Sequence, residues 1–285
     1  MALCVRRLVL AATLAAVVAL LPCTSSAPVA RATETGDFTA AQRTNTLAVL
    51  QAFARAIPEL GRKWTGDDFC SWEYTECNRT GVFVSVIGAP YAGTLPEMPV
   101  DVDYKHVIIR GLDFQQIKRL VGTLPASWSR LELLTLVSFP GCGVSGTLPA
   151  SWRSMKSLAL LWLEDGDSIT GTVPPEWSSM RRLAMLLLRR LPLRSTLPIQ
   201  WSSMASLKVL SLEGTQVYGS LPPEWSGMSK AQSLQLENCD LSGSLPPRVG
   251  CDAEAAYGLT EGQPLLRVCA GLVGPEGRSR CGHRG

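Results

Sequence analysis

Residues able to do chemistry are sparse and cluster early in the chain. Cys70 and Cys77 stand seven positions apart around Trp72, in a stretch without histidine. In an oxidising compartment such a pair closes a short disulfide, whereas a tetrahedral zinc site would need further Cys or His ligands nearby. Asn78-Arg79-Thr80 follows at once, an N-x-[ST] acceptor for an N-linked glycan. Asp165 and Asp167 share a turn and could hold a cation, but a pair of solvated turn acids has no need of one. The two histidines, His106 and His283, have no nucleophile or metal motif around them. No HExxH, GxSxG, P-loop or glycine-rich dinucleotide sequence occurs. The expectation is a protein that is not an enzyme and carries no cofactor.

The elements that position these residues begin with a leader. Arg6 and Arg7 precede an apolar run of 14 residues, 8–21, and Ala30-Arg31-Ala32 offers a cleavage site. This is the plan of a secretory signal peptide, and the run is shorter than the roughly 20 residues that span a bilayer. Cleavage after residue 32 removes three arginines, leaving 24 basic against 24 acidic residues and no net charge. A balanced surface excludes nucleic acid and anionic membrane as expected partners. Seven cysteines remain, and with Cys239, Cys251, Cys269 and Cys281 near the end, three full pairings are open. Residues 274–285 are polar and Gly/Arg-rich, without the apolar tail of a GPI signal, so release rather than anchoring is expected.

The body of the chain repeats. GTLP begins at Gly93, Gly122 and Gly146, then GTVP at Gly171, STLP at Ser195, and GSLP at Gly219 and Gly243. The spacings are 29, 24, 25, 24, 24 and 24 residues. Trp128, Trp152, Trp177, Trp201 and Trp225 keep the same phase, three residues after that proline. Nine and eleven residues beyond each Trp come apolar pairs, such as Leu161/Leu163, Leu186/Leu188 and Leu210/Leu212. A fixed period in the twenties with leucines in fixed phase predicts an α/β solenoid of leucine-rich repeats, each coil adding one strand to a parallel concave sheet.

The same phase assigns roles to other residues. Cys142 and Cys239 fall at the consensus Asn/Cys position and are read as buried thiols bonding the backbone. The coil over residues 91–121 is longer than the rest, and its strand is placed near 106–110. Ahead of the coils, Leu47, Leu50, Ala54 and Ile57 recur at helical spacing, with Asp37 or Thr39 as N-cap. The domain expectation is a signal peptide over 1–32, a helical, disulfide-stapled cap over 33–81, the solenoid over 82–250, and a small C-terminal cap with tail over 251–285.

Alternation along each strand sends the residues between the inward leucines outward. The outward set is expected to include an exposed apolar patch, Leu160, Trp162, Met185, Leu187 and Val209, edged by Glu164, Arg189, Glu213 and Glu237. An open apolar patch with charged edges suits a protein partner.

The cap pattern C-x-W-x-x-x-x-C with 24-residue L-x-G-x-[LV]-P coils resembles the plant-type leucine-rich class. The phrases FTAAQRTNTLAVLQAFARAIPELG (38–61), WTGDDFCSWEYTEC (64–77), GTLPASW and GSLPPEWS are similar to those of the promastigote surface antigen family of Leishmania and related trypanosomatids, over roughly residues 37–250. The resemblance implies an extracellular chain, secreted or at the cell surface, engaging host or vector cell-surface or serum proteins, or glycans, through its repeats. That family is associated with attachment to host cells and resistance to complement. No catalytic residues carry over from it. Two further roles stay open: an inhibitor of secreted host hydrolases, and a structural surface antigen without a dedicated ligand.

Overall fold

The computed structural model describes residues 38–166, 168–228 and 230–243. The readings made above for residues 1–32 and 251–285, for Asp167, and for Cys251, Cys269 and Cys281 lie outside them.

Helix α1 (Ala40–Ala56) starts where its residues allow it to. Thr39 is extended, its hydroxyl accepts from the Gln42 N–H, and the Gln42 side chain accepts from the Thr39 N–H, a reciprocal capping box. Pro58 opens α2 (Pro58–Lys63), since a proline at the first helical turn loses no hydrogen bond. The buried face of α1 is Thr46, Val49, Leu50 and Phe53, while Leu47 and Ala54 are only partly buried. Of the four positions that the apolar spacing marked, Leu50 and Ile57 are buried, and Leu47 and Ala54 lie at the edge of the face. Phe53 decides it by stacking on Phe114 at 5.9 Å and tilting over Trp128 at 5.7 Å. Thr46 belongs to that face because its hydroxyl accepts from the buried Ile108 N–H at 3.1 Å.

The cap continues through the hairpin β1 (Thr75–Asn78) and β2 (Gly81–Ile87), paired antiparallel, with Cys70 bonded to Cys77. Trp64 and Trp72 stack at 5.2 Å beside that bond. A disulfide closing so short a loop removes about 2 kcal/mol of unfolded-chain entropy. The Cys70→Ser/Cys77→Ser double variant should lower unfolding stability by about that amount. Urea titration followed by circular dichroism reads it, and an unchanged midpoint would show the staple to be idle.

Coils then alternate between two sheets. The strands run β3 (Ala92–Thr94), β4 (Ile109–Gln115), β5 (Arg119–Thr123), β6 (Leu136–Pro140) and β7 (Gly143–Thr147). They continue as β8 (Leu160–Glu164), β9 (Ser168–Thr170), β10 (Met185–Arg189) and β11 (Val209–Ser211). The last are β12 (Tyr218–Gly219), β13 (Ser233–Gln235) and β14 (Asp240–Leu241). The concave sheet has the order β1-β2-β4-β6-β8-β10-β11-β13, parallel throughout beyond β1. The convex side holds β3-β5-β7-β9 and, separately, β12-β14. In the long coil, residues 104–106 form a 3₁₀ turn capped by Asp103, and the strand begins only at Ile109. The placement at 106–110 was thus too early. The inward pair there is Leu112 and Phe114, whose in-register partners on β2 are Val84 and Val86.

Between the sheets lies the core. The paired apolar residues of β6, β8 and β10 are buried together with the Trp residues at the centre of each coil's 3₁₀ turn. A proline precedes each turn with φ near its fixed value, for example −72° at Pro174, which presets the turn's start. Each indole N–H then donates to the carbonyl of the proline one coil back. Trp152 bonds Pro125, Trp177 bonds Pro149, Trp201 bonds Pro174 and Trp225 bonds Pro198, all at 3.0 Å. Cys142 and Cys239 donate from Sγ to the carbonyls of Phe114 and Leu212, at 3.2 and 3.1 Å. Burial pushes the Cys142 thiol up to about 11, so it stays protonated as a donor.

Two positions of the coil recur with a left-handed backbone. One follows the concave strand and is occupied by Gln116, Gly141, Asp165, Arg190, Gly214 and Asn238, with φ between 49° and 69°. The other is the GxLP glycine, with φ near 90° at Gly122, Gly146, Gly171, Gly219 and Gly243. Ser195 takes that glycine's place in one coil, and a β-carbon disfavours the conformation. There the convex pairing thins to single bridges, Gly171–Leu193 and Thr196–Tyr218. The stacked indoles divide at the same point, Trp128–Trp152–Trp177 on one side and Trp201–Trp225 on the other.

Candidate binding face

The outward row of the concave sheet contains the predicted residues in register. Leu160 pairs with Met185, which pairs with Val209; Trp162 pairs with Leu187, which pairs with Ser211. The predicted open apolar patch is not what the structure holds. Leu160, Trp162 and Met185 are 2, 6 and 8 % exposed, and only Leu187 and Val209 are half-buried. In-register side chains on adjacent strands stand about 4.8 Å apart and lie against one another. Trp162 is also tied down, its indole N–H donating to the Glu164 carboxylate at 2.6 Å. The apolar part of this face is a lining, with Leu187 and Val209 as its accessible edge.

The charged edge is a ladder. Glu164 is nearly buried, and carboxylates in such a place need cationic partners. Arg190 bonds it directly, and Arg189 approaches at 3.9 Å. Arg190 also donates from Nε to Asp165 at 2.5 Å, which does most to raise its pKa and keep it charged. Arg189 reaches the other way, donating from Nε to Glu213 at 2.9 Å. Asp165 is therefore an ion-pair partner in this ladder. Glu237 stands at its far end, its pKa raised first by burial and then by the charge of Glu213.

Small polar groups complete the face. Asp113, in register with Ser138, is raised by burial and held by the side chains of Ser138, Gln115 and Ser85. Ser211 is buried with a hydroxyl that has no hydrogen-bond partner among the described residues, as is one oxygen of Glu237. Sequence reasoning assigned Glu164, Arg189, Glu213 and Glu237 to this edge but left out Arg190. Its signal was the left-handed position after each strand, which bends the chain so that its side chain returns to the ladder. Asn78 lies apart at the β1–β2 hairpin, its side-chain oxygen accepting from the Thr80 N–H and hydroxyl at 2.8 and 2.6 Å. No helix among the described residues is long and apolar enough to cross a membrane.

Comparisons with known proteins bear on fold and kinship. No family model matches the chain. A curated relative, the surface membrane glycoprotein GP46/M-2 of Leishmania amazonensis, is 63% identical over 145 residues, 50% of this chain. The chain spans about 30% of that relative's length. Among solved structures, PEPR1-AtPEP1 matches with a TM-score of 0.62 at 22% identity, over 76% of this chain and 31% of that one. The BIR2 ectodomain from Arabidopsis thaliana matches with a TM-score of 0.50 at 16% identity, over 71% of this chain and 96% of that one. These structures share the leucine-rich-repeat solenoid fold.

Proposed function

From its kinship with the promastigote surface antigens, and the extracellular or cell-surface location that goes with it, we propose that this chain binds host or vector proteins through its concave sheet. One observation carries the proposal. The sheet presents half-buried Leu187 and Val209 directly beside an ordered row of carboxylates and guanidiniums. A rigid apolar edge next to fixed charge offers a protein partner both contact area and orientation. The parallel strands hold that arrangement before binding, so little ordering is lost on association.

The test captures proteins from host serum and macrophage membranes on the purified chain, identified by mass spectrometry, and compares two variants. Leu187→Asp/Val209→Asp should reduce capture of the specific partners at least tenfold. Val121→Asp, exposed on β5 of the convex side, should leave it unchanged. Equal capture by the first variant, with folding retained, would remove the concave face from this role.

A further inference from the structure

A balanced net charge hides where the charges stand. Each coil passes from its 3₁₀ turn into its concave strand over residues 131–135, 155–159, 180–184, 204–208 and 228–232. These connections hold Lys156, Arg181, Arg182, Lys208 and Lys230 against one acid, Glu132. Backbone bonds keep them in step. Thr135 N–H donates to the Arg110 carbonyl, Ala159 to Thr135, Ala184 to Ala159, Lys208 to Ala184 and Gln232 to Lys208, all at 2.8 Å. Arg110 and Lys208 therefore share one position of the coil, Lys156 and Arg181 a second, and Arg182 and Lys230 a third. From β4 to β13 the sheet takes five steps of about 4.8 Å, so this basic rim runs about 24 Å along the edge where the strands begin.

The ion-pair ladder lies at the opposite ends of the strands, where Arg189 and Arg190 meet Glu164, Asp165 and Glu213. On the rim, Lys156, Arg181, Arg182, Lys208 and Lys230 form no ion pair with a carboxylate among the described residues. All but Lys208 are exposed. Adjacent coils are closer than the screening length of about 8 Å in physiological salt, so these cations repel one another. A polyanion laid along them relieves that repulsion. At its N-terminal end the rim opens into a recess of about 370 Å³ lined by Arg79, Thr80, Arg110, Phe38 and Leu133. Arg110 is held there by donating from Nε to the Thr80 carbonyl at 2.6 Å and from Nη1 to the Leu133 carbonyl at 3.3 Å.

We propose that this rim binds a sulfated polysaccharide laid across the coils, with one charged sugar in the recess. A row of cations recurring from coil to coil matches a linear chain of fixed negative charges. Single-stranded nucleic acid would need aromatic platforms for its bases, and the coil tryptophans are buried. An anionic membrane would need an apolar face to insert, and Leu134, Leu158, Leu183 and Leu207 of these connections are buried too. The extracellular or cell-surface location places the chain among sulfated polysaccharides. This contact uses a different edge from Leu187 and Val209 and stands apart from the protein binding proposed above.

The experiment titrates the whole secreted chain with a heparin decasaccharide by calorimetry at physiological salt. A fully desulfated, N-acetylated decasaccharide and an oligothymidylate of matching length serve as comparisons. Heparin should bind saturably and lose affinity as salt rises, and both comparison chains should bind at least about tenfold more weakly. Arg181→Gln/Arg182→Gln and Lys156→Gln/Lys208→Gln keep most of each side chain and should each weaken heparin binding about tenfold, with Arg79→Gln weakening it about threefold. Lys118→Gln/Arg119→Gln removes two exposed cations from the opposite end of the strands and should leave binding unchanged. Circular dichroism of every variant should match that of the unaltered chain. Absence of heparin binding at physiological salt, or equal binding of the desulfated chain, would overturn the assignment. Equal binding of oligothymidylate, or equal loss in Lys118→Gln/Arg119→Gln, would overturn it as well.

Discussion

Trp177→Ala should destabilise the solenoid by about 4 kcal/mol, in the upper range for a buried aromatic removed from a close-packed core. The indole is fully buried, stacks on Trp152 at 6.3 Å, and bonds the carbonyl of Pro149. Alanine leaves a cavity that the 3₁₀ turn cannot collapse into, because Pro174 and Met180 fix its two ends. It also removes one of the two hydrogen bonds to the Pro149 carbonyl, which keeps the Trp152 N–H at 3.1 Å, a further loss of about 1 kcal/mol. Trp177→Phe keeps most of the ring volume and loses mainly that bond, so a loss of about 1–2 kcal/mol is expected. Urea denaturation followed by far-ultraviolet circular dichroism separates the two variants. If alanine and phenylalanine had equal effects, the stack would contribute little and the hydrogen bond would dominate.

Arg190→Ala should lower stability by about 3 kcal/mol, through one cause. It is electrostatic: Glu164 is nearly buried and would keep only Arg189, at 3.9 Å, together with the Trp162 indole. The backbone adds nothing to this difference, since position 190 has φ 49° and arginine and alanine both carry the β-carbon that disfavours it. Arg190→Gly removes the same ion pairs but accepts the left-handed backbone freely. It should recover about 1 kcal/mol of the loss. Glu164→Gln in the Arg190→Ala background should recover more, because no buried charge is then left uncompensated. Failure of that second change to restore stability would show the Glu164–Arg190 pair to be incidental.

Much of this architecture is legible from spacing alone. The Trp, the GxLP proline and the paired leucines recur in one phase, and a contact repeated in every coil leaves a repeated mark. Thr39, one of the two N-caps the sequence offered, and the cysteines at 142 and 239 are legible as residue types favoured at those positions, while the capping box that Gln42 completes is read only from the structure. What spacing does not carry is how neighbours on one face lie against each other. Alternation correctly turns Leu160, Trp162 and Met185 outward, yet their exposure depends on in-register partners and on the bond from Trp162 to Glu164. The long coil breaks the phase, so its strand was placed several residues early. Arg190 escaped notice because it belongs to no strand and to no apolar pattern.

The indole-to-carbonyl bonds have a consequence for how such a gene can change length. Each one reaches back a single coil to an identical acceptor, so excising or duplicating one whole period of about 24 residues presents every tryptophan with an equivalent proline. Gains and losses of whole units therefore heal without redesign of the interior. A change of one or two codons within a unit disturbs that coil alone: Trp177 reaches Pro149 across 28 residues where Trp152 reaches Pro125 across 27, and both bonds measure 3.0 Å. Recombination between repeats is a mild event for this protein, and a small frame-preserving indel is mild too where it falls in a turn between the strand and the next tryptophan.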